Sequence, residues 1–328
     1  MFNSEKYINQ AICSIQNQNM PDVEILIIDD HSKDNSLKII ETIQKIDRRI
    51  KVIKNKKNRG ALYSKSLGIL KARGKYTIIL DSDDLFINEQ IFYLCFNEAV
   101  KNNIDIIEFS GFWSKLGKFN LNGKLPIIPL YLRYKNHNEY VKQPELSRFL
   151  YKTLDNGKYK LIDGYLTGKC IKTNTLKKTL KVIGKNIYEQ KINYGDDRLI
   201  NFILFKISKS FKYIKQFGYM YNYNNVSISH LDRKDNNCHD ELINIQHIYN
   251  YSKFSNDSEI VVFEIVHRFE NIIKPGLNIK NWKYFYNLVK HLLRNKYISN
   301  LKKKQLLNLT SNTNSTQIIF NHMINFTE

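Results

Sequence analysis

Apolar positions in the first third of the chain alternate between helical and strand-like spacing, with short breaks between them. Tyr7, Ala11, Ile12 and Ile15 share one helical face, with Asn3 or Ser4 placed to cap it. Val23 to Ile28 is a short apolar run ending in Asp29-Asp30, the pattern of a buried parallel strand whose carboxyl end opens on a site. A second helix carries Leu37, Ile40, Ile43 and Ile46 behind a cap at Asp34 or Ser36, and Ile50 to Ile53 reads as a brief strand. Asn58-Arg59-Gly60 then breaks the chain before a helix over 61–72, which Gly74 ends. Tyr76 to Leu80 is another buried strand, followed at once by Asp81-Ser82-Asp83-Asp84. A helix over 89–101 and a strand over 105–109 complete the pattern.

This alternation predicts an α/β fold with a Rossmann-like, mostly parallel sheet flanked by helices. Ligands in such sheets sit beyond the carboxyl ends of the strands, where both acidic clusters fall. From 111 to 163 the pattern weakens into loops and short helices. Order returns with Gly195-Asp196-Asp197 opening a helix through Phe205, and with strand-like segments over 213–217 and 219–223. After His230 the spacing is helical over 241–251, 259–273 and 282–293. We therefore expect a nucleotide-binding and catalytic domain over 1–230 and a helical carboxyl-terminal extension over 231–328.

A hydrophobic share of 42% with 5 prolines fits a globular chain rather than a disordered one. The formal charge of +20 points to anionic partners without choosing among nucleic acid, membrane surface and phosphorylated small molecules. Enrichment in Lys, Asn, Ile and Tyr is also what an AT-rich genome produces. No zinc knuckle or paired aromatic platform accompanies the basic clusters at 54–59 and 302–304, so nucleic acid is not the expected partner. Cys13, Cys95, Cys170 and Cys238 lie far apart, as buried thiols of a reducing compartment do. The apolar runs are far shorter than the roughly 20 residues of a membrane helix. The expectation is a cytoplasmic protein, with peripheral membrane contact open.

Asp81, Asp83 and Asp84 repel one another in a confined loop unless a cation lies among them. Oxygen ligands of this kind suit Mn²⁺ or Mg²⁺, which also bridges to a diphosphate. Asp29 and Asp30 stand where a carboxylate reaches a nucleobase or ribose, or where one of them caps the following helix. Asp196 and Asp197 sit where an acidic pair gains from a helix dipole, a purely structural use.

Four blocks in order resemble family 2 glycosyltransferases, which have the GT-A fold. They are Glu24 to Ser36 around Asp29-Asp30, Asn58-Arg59-Gly60-Ala61 leading through Gly68 to Asp81-Ser82-Asp83-Asp84, Gly195-Asp196-Asp197, and 219–229. The resemblance implies a metal-dependent transferase that moves a sugar from a nucleoside-diphosphate donor, a UDP-sugar, to a glycan or protein-linked acceptor. It assigns Asp30, with Asp29, Asn58, Gly60, Asp81 and Asp83, to donor binding, and Asp83 and Asp84 to the metal. In inverting members one carboxylate of the third block is the general base, here Asp197 with Asp196 as its rival. Two departures stand out. The chain opens at Met1-Phe2-Asn3, matching only the end of the family's first strand, and Tyr221-Asn222-Tyr223-Asn224 carries no arginine. Either the sequence lacks its natural start or the protein lacks a central strand, which would cost roughly 1–3 kcal/mol for each buried backbone group left unpaired. The alternative is a catalytically inactive GT-A-fold binding or scaffold protein.

Overall fold

A computed structural model describes residues 1–114, 127–129, 140–142, 151–153, 159–161, 165–222, 240–241, 243–245 and 247–248. Expectations for 223–239, including His230, and for the helices beyond 248 lie outside these residues. In order, the elements are α1 (Ile8–Gln16), β1 (Ile25–Asp29), α2 (Ser36–Gln44), β2 (Ile50–Lys54), α3 (Ala61–Lys71), β3 (Tyr76–Ile78), β4 (Leu85–Phe86) and α4 (Ile91–Lys101). There follow β5 (Ile106–Ser114), β6 (Ile127–Pro129), β7 (Tyr140–Lys142), β8 (Tyr151–Thr153), β9 (Tyr159–Leu161), β10 (Lys169–Lys172), α5 (Thr173–Ile183), α6 (Lys185–Tyr188), α7 (Asp196–Ile207) and β11 (Ser210–Asn222). The chain divides into one unit of Met1–Lys152 with Ile162–Leu231 and another of Thr153–Leu161 with Asp232–Glu328.

The α/β class holds, but strand directions are mixed rather than mostly parallel. β1 and β2 pair in parallel, as do β5 and β11. In the larger sheet, ordered β3-β10-β5-β11-β4, the pairings of β10 with β3 and β5 and of β11 with β4 are antiparallel. Burial pattern alone does not distinguish these directions, because β5 is buried on both faces whichever way its neighbours run. β1 and β3 fall in separate sheets. Along β1, the Met1 amine donates to Ile28 O (2.9 Å) and Asp30 N donates to Met1 O (2.9 Å), a single step of parallel pairing.

Two apolar clusters hold the frame. Ile8, Ala11 and Ile12 of α1 pack on Ile25 and Ile27 of β1, Ile40 and Ile50. Ile91, Phe92, Cys95 and Ala99 of α4 pack on Ile107, Phe109, Cys170, Ile214 and Tyr219. Leu80, immediately before the acidic loop, packs against both. The expected two strand segments after α7 are one strand, β11, with register shifts around Phe217. Gly218 lies within that irregular stretch, and a Cβ there would meet the Ile91 side chain at 2.4 Å, so α4 packs directly on backbone.

The cap expected from Asn3 or Ser4 does not form through a side chain. The Ser4 carbonyl instead accepts Tyr7 N and Ile8 N at 2.9 Å. The Ser4 side chain is used elsewhere, at the site.

Candidate functional site

Asp29 ends β1 and Asp30 follows it, both buried. Asp29 Oδ1 accepts Ser32 N at 3.2 Å, closing the turn into α2, and Asp34 accepts Ser36 N at 3.0 Å. Asp30 takes three donors from one loop: Asn55 Nδ2 (2.8 Å) and Arg59 N (2.7 Å) on Oδ1, and Gly60 N (2.8 Å) on Oδ2. Asp30 thus pins the entry to α3 against the end of β1. Gly60 holds φ +89°, and a Cβ there would lie 2.9 Å from Ile192 O. Leu62 N donates to that same carbonyl, and Ala61 N to Asn193 Oδ1 (3.2 Å), so the segment before α7 caps α3. Arg59 stacks over Tyr63 at 4.1 Å and donates to Glu189 O. Asn58 Oδ1 is buried with no hydrogen-bond donor from the protein.

The amino-terminal stretch ties the first acidic cluster to the second. Asn3 N donates to Ser32 Oγ and Ser4 N to Ser36 Oγ, while Ser4 Oγ lies 2.7 Å from Ser82 Oγ in the acidic loop.

Within that loop the three aspartates diverge. Asp84 is 1% exposed, and its two oxygens accept Tyr219 Oη–H and Asn222 N (2.8 Å), tying the loop to the end of β11. Burial pushes its carboxyl well above the usual range and Asp83 and Asp81 add to this, against the pull of the Tyr219 and Asn222 hydrogen bonds. Asp83 is half-buried. Asp81 turns towards α3.

There it meets a residue to which the sequence reading gave no role. Lys65 Nζ lies 2.5 Å from Asp197 Oδ1, 3.0 Å from Asp196 Oδ2 and 3.4 Å from Asp81 Oδ1, with its side chain 15% exposed. Burial alone would lower the Lys65 pKa, but the three carboxylates outweigh it and hold the ammonium well above its ordinary value. Asp196 is pushed up to about 7, first by burial and then by Asp197 and Asp81, against the attraction of Lys65. Its Oδ2 is buried 3.0 Å from Lys65 Nζ and takes no hydrogen bond of good geometry. Asp197 Oδ2 accepts Leu166 N at 3.3 Å, so each of its oxygens has a donor. Gly195, in the left-handed region at φ +73°, turns the chain so that both acids fall in the first turn of α7, where the helix dipole favours them. A signal for Lys65 was present: Leu62 and Ile69, three before it and four after, are buried on its helical face, and a lysine there needs carboxylates.

The donor set suits a divalent ion in part. Asp83 and Asp81 offer hard oxygens from the less buried side of the loop, whereas both Asp84 oxygens serve the fold. Among the described residues no three acidic, His or Cys side chains converge to hold a metal. Also among the described residues, no helix is long and apolar enough to cross a membrane.

The family described as Glycosyl transferase family 2 matches residues 1–161. The Bacillus subtilis uncharacterized glycosyltransferase EpsJ is 25% identical over 71% of this chain and 62% of its own length. The Staphylococcus aureus poly(ribitol-phosphate) beta-N-acetylglucosaminyltransferase TarP is 33% identical over 39% of this chain and 37% of its own. Curated relatives are matched over between 24% and 62% of their length. S. aureus TarS, solved in complex with UDP-GlcNAc, superposes with a TM-score of 0.64 at 14% identity, over 95% of this chain and 81% of that one. That likeness establishes the GT-A fold.

Proposed function

We propose that the chain transfers a sugar from a UDP-sugar to a glycan or protein-linked acceptor, with inversion, a reading supported by the match of residues 1–161 to glycosyl transferase family 2. One observation carries the reading: the acidic loop after β3 and the acidic start of α7 meet at Lys65. Donor-side and acceptor-side chemistry then share one site.

In this reading the end of β1 and the Asp30-pinned loop receive the nucleoside, with Asn58 Oδ1 offering an acceptor atom that no protein donor uses. Asp83, with Asp81 beside it, holds a divalent ion. Mn²⁺ or Mg²⁺ there supplies Lewis-acid stabilisation of the charge left on the departing diphosphate. Asp197 accepts the acceptor hydroxyl's proton as that oxygen bonds to the anomeric carbon, and the carbon–phosphate-oxygen bond breaks with its electrons on the diphosphate. Asp84 anchors the loop. Asp196 is a second reading for the base, favoured by its raised pKa and its oxygen without a hydrogen bond.

A scaffold without turnover is the competing class, supported by the engagement of both Asp197 oxygens. The test is UDP release from a panel of UDP-sugars with Mn²⁺, with and without excess EDTA. Metal-dependent release supports transfer. Full release in EDTA contradicts the metal role, and absence of release with every donor contradicts the activity.

A further inference from the structure

Resting on the transfer reading above, we propose that Lys65 is a positioning residue that fixes the orientation of the Asp197 carboxylate and locks the Asp81 loop to the start of α7. The three carboxylates that Lys65 meets come from the acidic loop and from the start of α7, so it joins the donor side of the site to the candidate base.

The frame leaves its ammonium little freedom. α3 begins at Gly60, held from one side by Asp30 and from the other by Ile192 and Asn193. Leu62 and Ile69 are buried on the same face, which fixes the rotation of the helix about its axis. Three acidic contacts within 3.4 Å then hold the side-chain tip.

Asp197 depends on this tip. Its Oδ1 is held by Lys65 at 2.5 Å, and its Oδ2 accepts the longer Leu166 N–H at 3.3 Å. Without the ammonium, Asp81, Asp196 and Asp197 repel one another and the carboxylate turns about its remaining contact. The contribution of Lys65 is aim. A misplacement of about 1 Å at a reacting group costs on the order of 100-fold in rate.

The experiment compares the full chain with Lys65→Met and Lys65→Arg, reading transfer kinetics, UDP affinity and thermal unfolding. Lys65→Met should lower kcat about 100-fold, a loss larger than any rise in UDP Kd that loosening of the Asp81 loop brings. Lys65→Arg, keeping a cation with several donors, should recover at least roughly a tenth of the wild-type kcat. A Met variant with wild-type kcat, or one whose loss lies wholly in UDP binding, overturns the inference. A cycle with Asp197→Asn reads the same contact without turnover. The double variant should lose less Tm than the two single losses combined, since removing one carboxylate relieves the repulsion left by Met. Additive losses overturn the inference. Wild-type chain lacking transfer sinks the transferase reading while the thermal cycle still reports on Lys65.

Discussion

Tyr219 donates its phenolic hydrogen to the buried carboxyl of Asp84, binding the acidic loop to a strand that begins more than a hundred residues later. With Asn222 N on the other oxygen, both oxygens of this acid are engaged within the fold. Asp84→Ala should leave the Tyr219 hydroxyl and Asn222 amide buried without acceptors, destabilising the protein by about 2–4 kcal/mol. Urea unfolding measures it, and an unchanged midpoint would refute the anchoring role.

Gly60→Ala forces a side chain into φ +89° and against Ile192 O. The expected loss is about 1–3 kcal/mol, because both strain and the contact must be relieved. Since this turn carries two of the amides bound by Asp30, UDP affinity should fall along with the thermal midpoint.

Asp196 gives the fold a defined pH response. Its folded pKa of about 7 lies above the ordinary 3.8, so the native state binds the proton more tightly than the unfolded chain. The stability it contributes is complete below about pH 4 and is lost as pH rises through about 7. Asp196→Asn should flatten that part of the profile relative to wild type. Parallel profiles for the two proteins between pH 4 and 7 would contradict the assignment.

Much of this site was legible in the sequence, and the reasons differ residue by residue. Asp29-Asp30 and Asp81 to Asp84 stood out because each closes a short apolar run, and Gly195 because a glycine before two acids marks a helix start. Local pattern does not reveal which way each acid points. Asp84 turns inward to partners on β11, and Asp30 is claimed by a loop 25 to 30 residues away. Lys65 shares a helical face with Leu62 and Ile69, which signals a need for carboxylates, but not which ones, since its three partners come from two distant segments. Strand direction was lost because a strand buried on both faces carries no sign of its neighbours' sense.

The two candidate bases separate by substitution. Asp197→Asn should lower kcat by about 10²- to 10⁴-fold, the usual contribution of a general base, while Asp196→Asn costs less than about tenfold. The reverse ranking would move the role to Asp196, whose Oδ2 is the oxygen without a hydrogen bond.

In the proposed function the acidic loop and the start of α7 act on one nucleotide sugar, with binding on one side and chemistry on the other. Calorimetric titration of UDP in Mn²⁺, run on wild type, Asp83→Asn and Asp197→Asn beside their turnover rates, tests this most directly. Asp83→Asn should lose metal-dependent UDP binding, while Asp197→Asn should bind UDP as wild type does and fail to turn over. Equal UDP binding and equal turnover in all three proteins would contradict it.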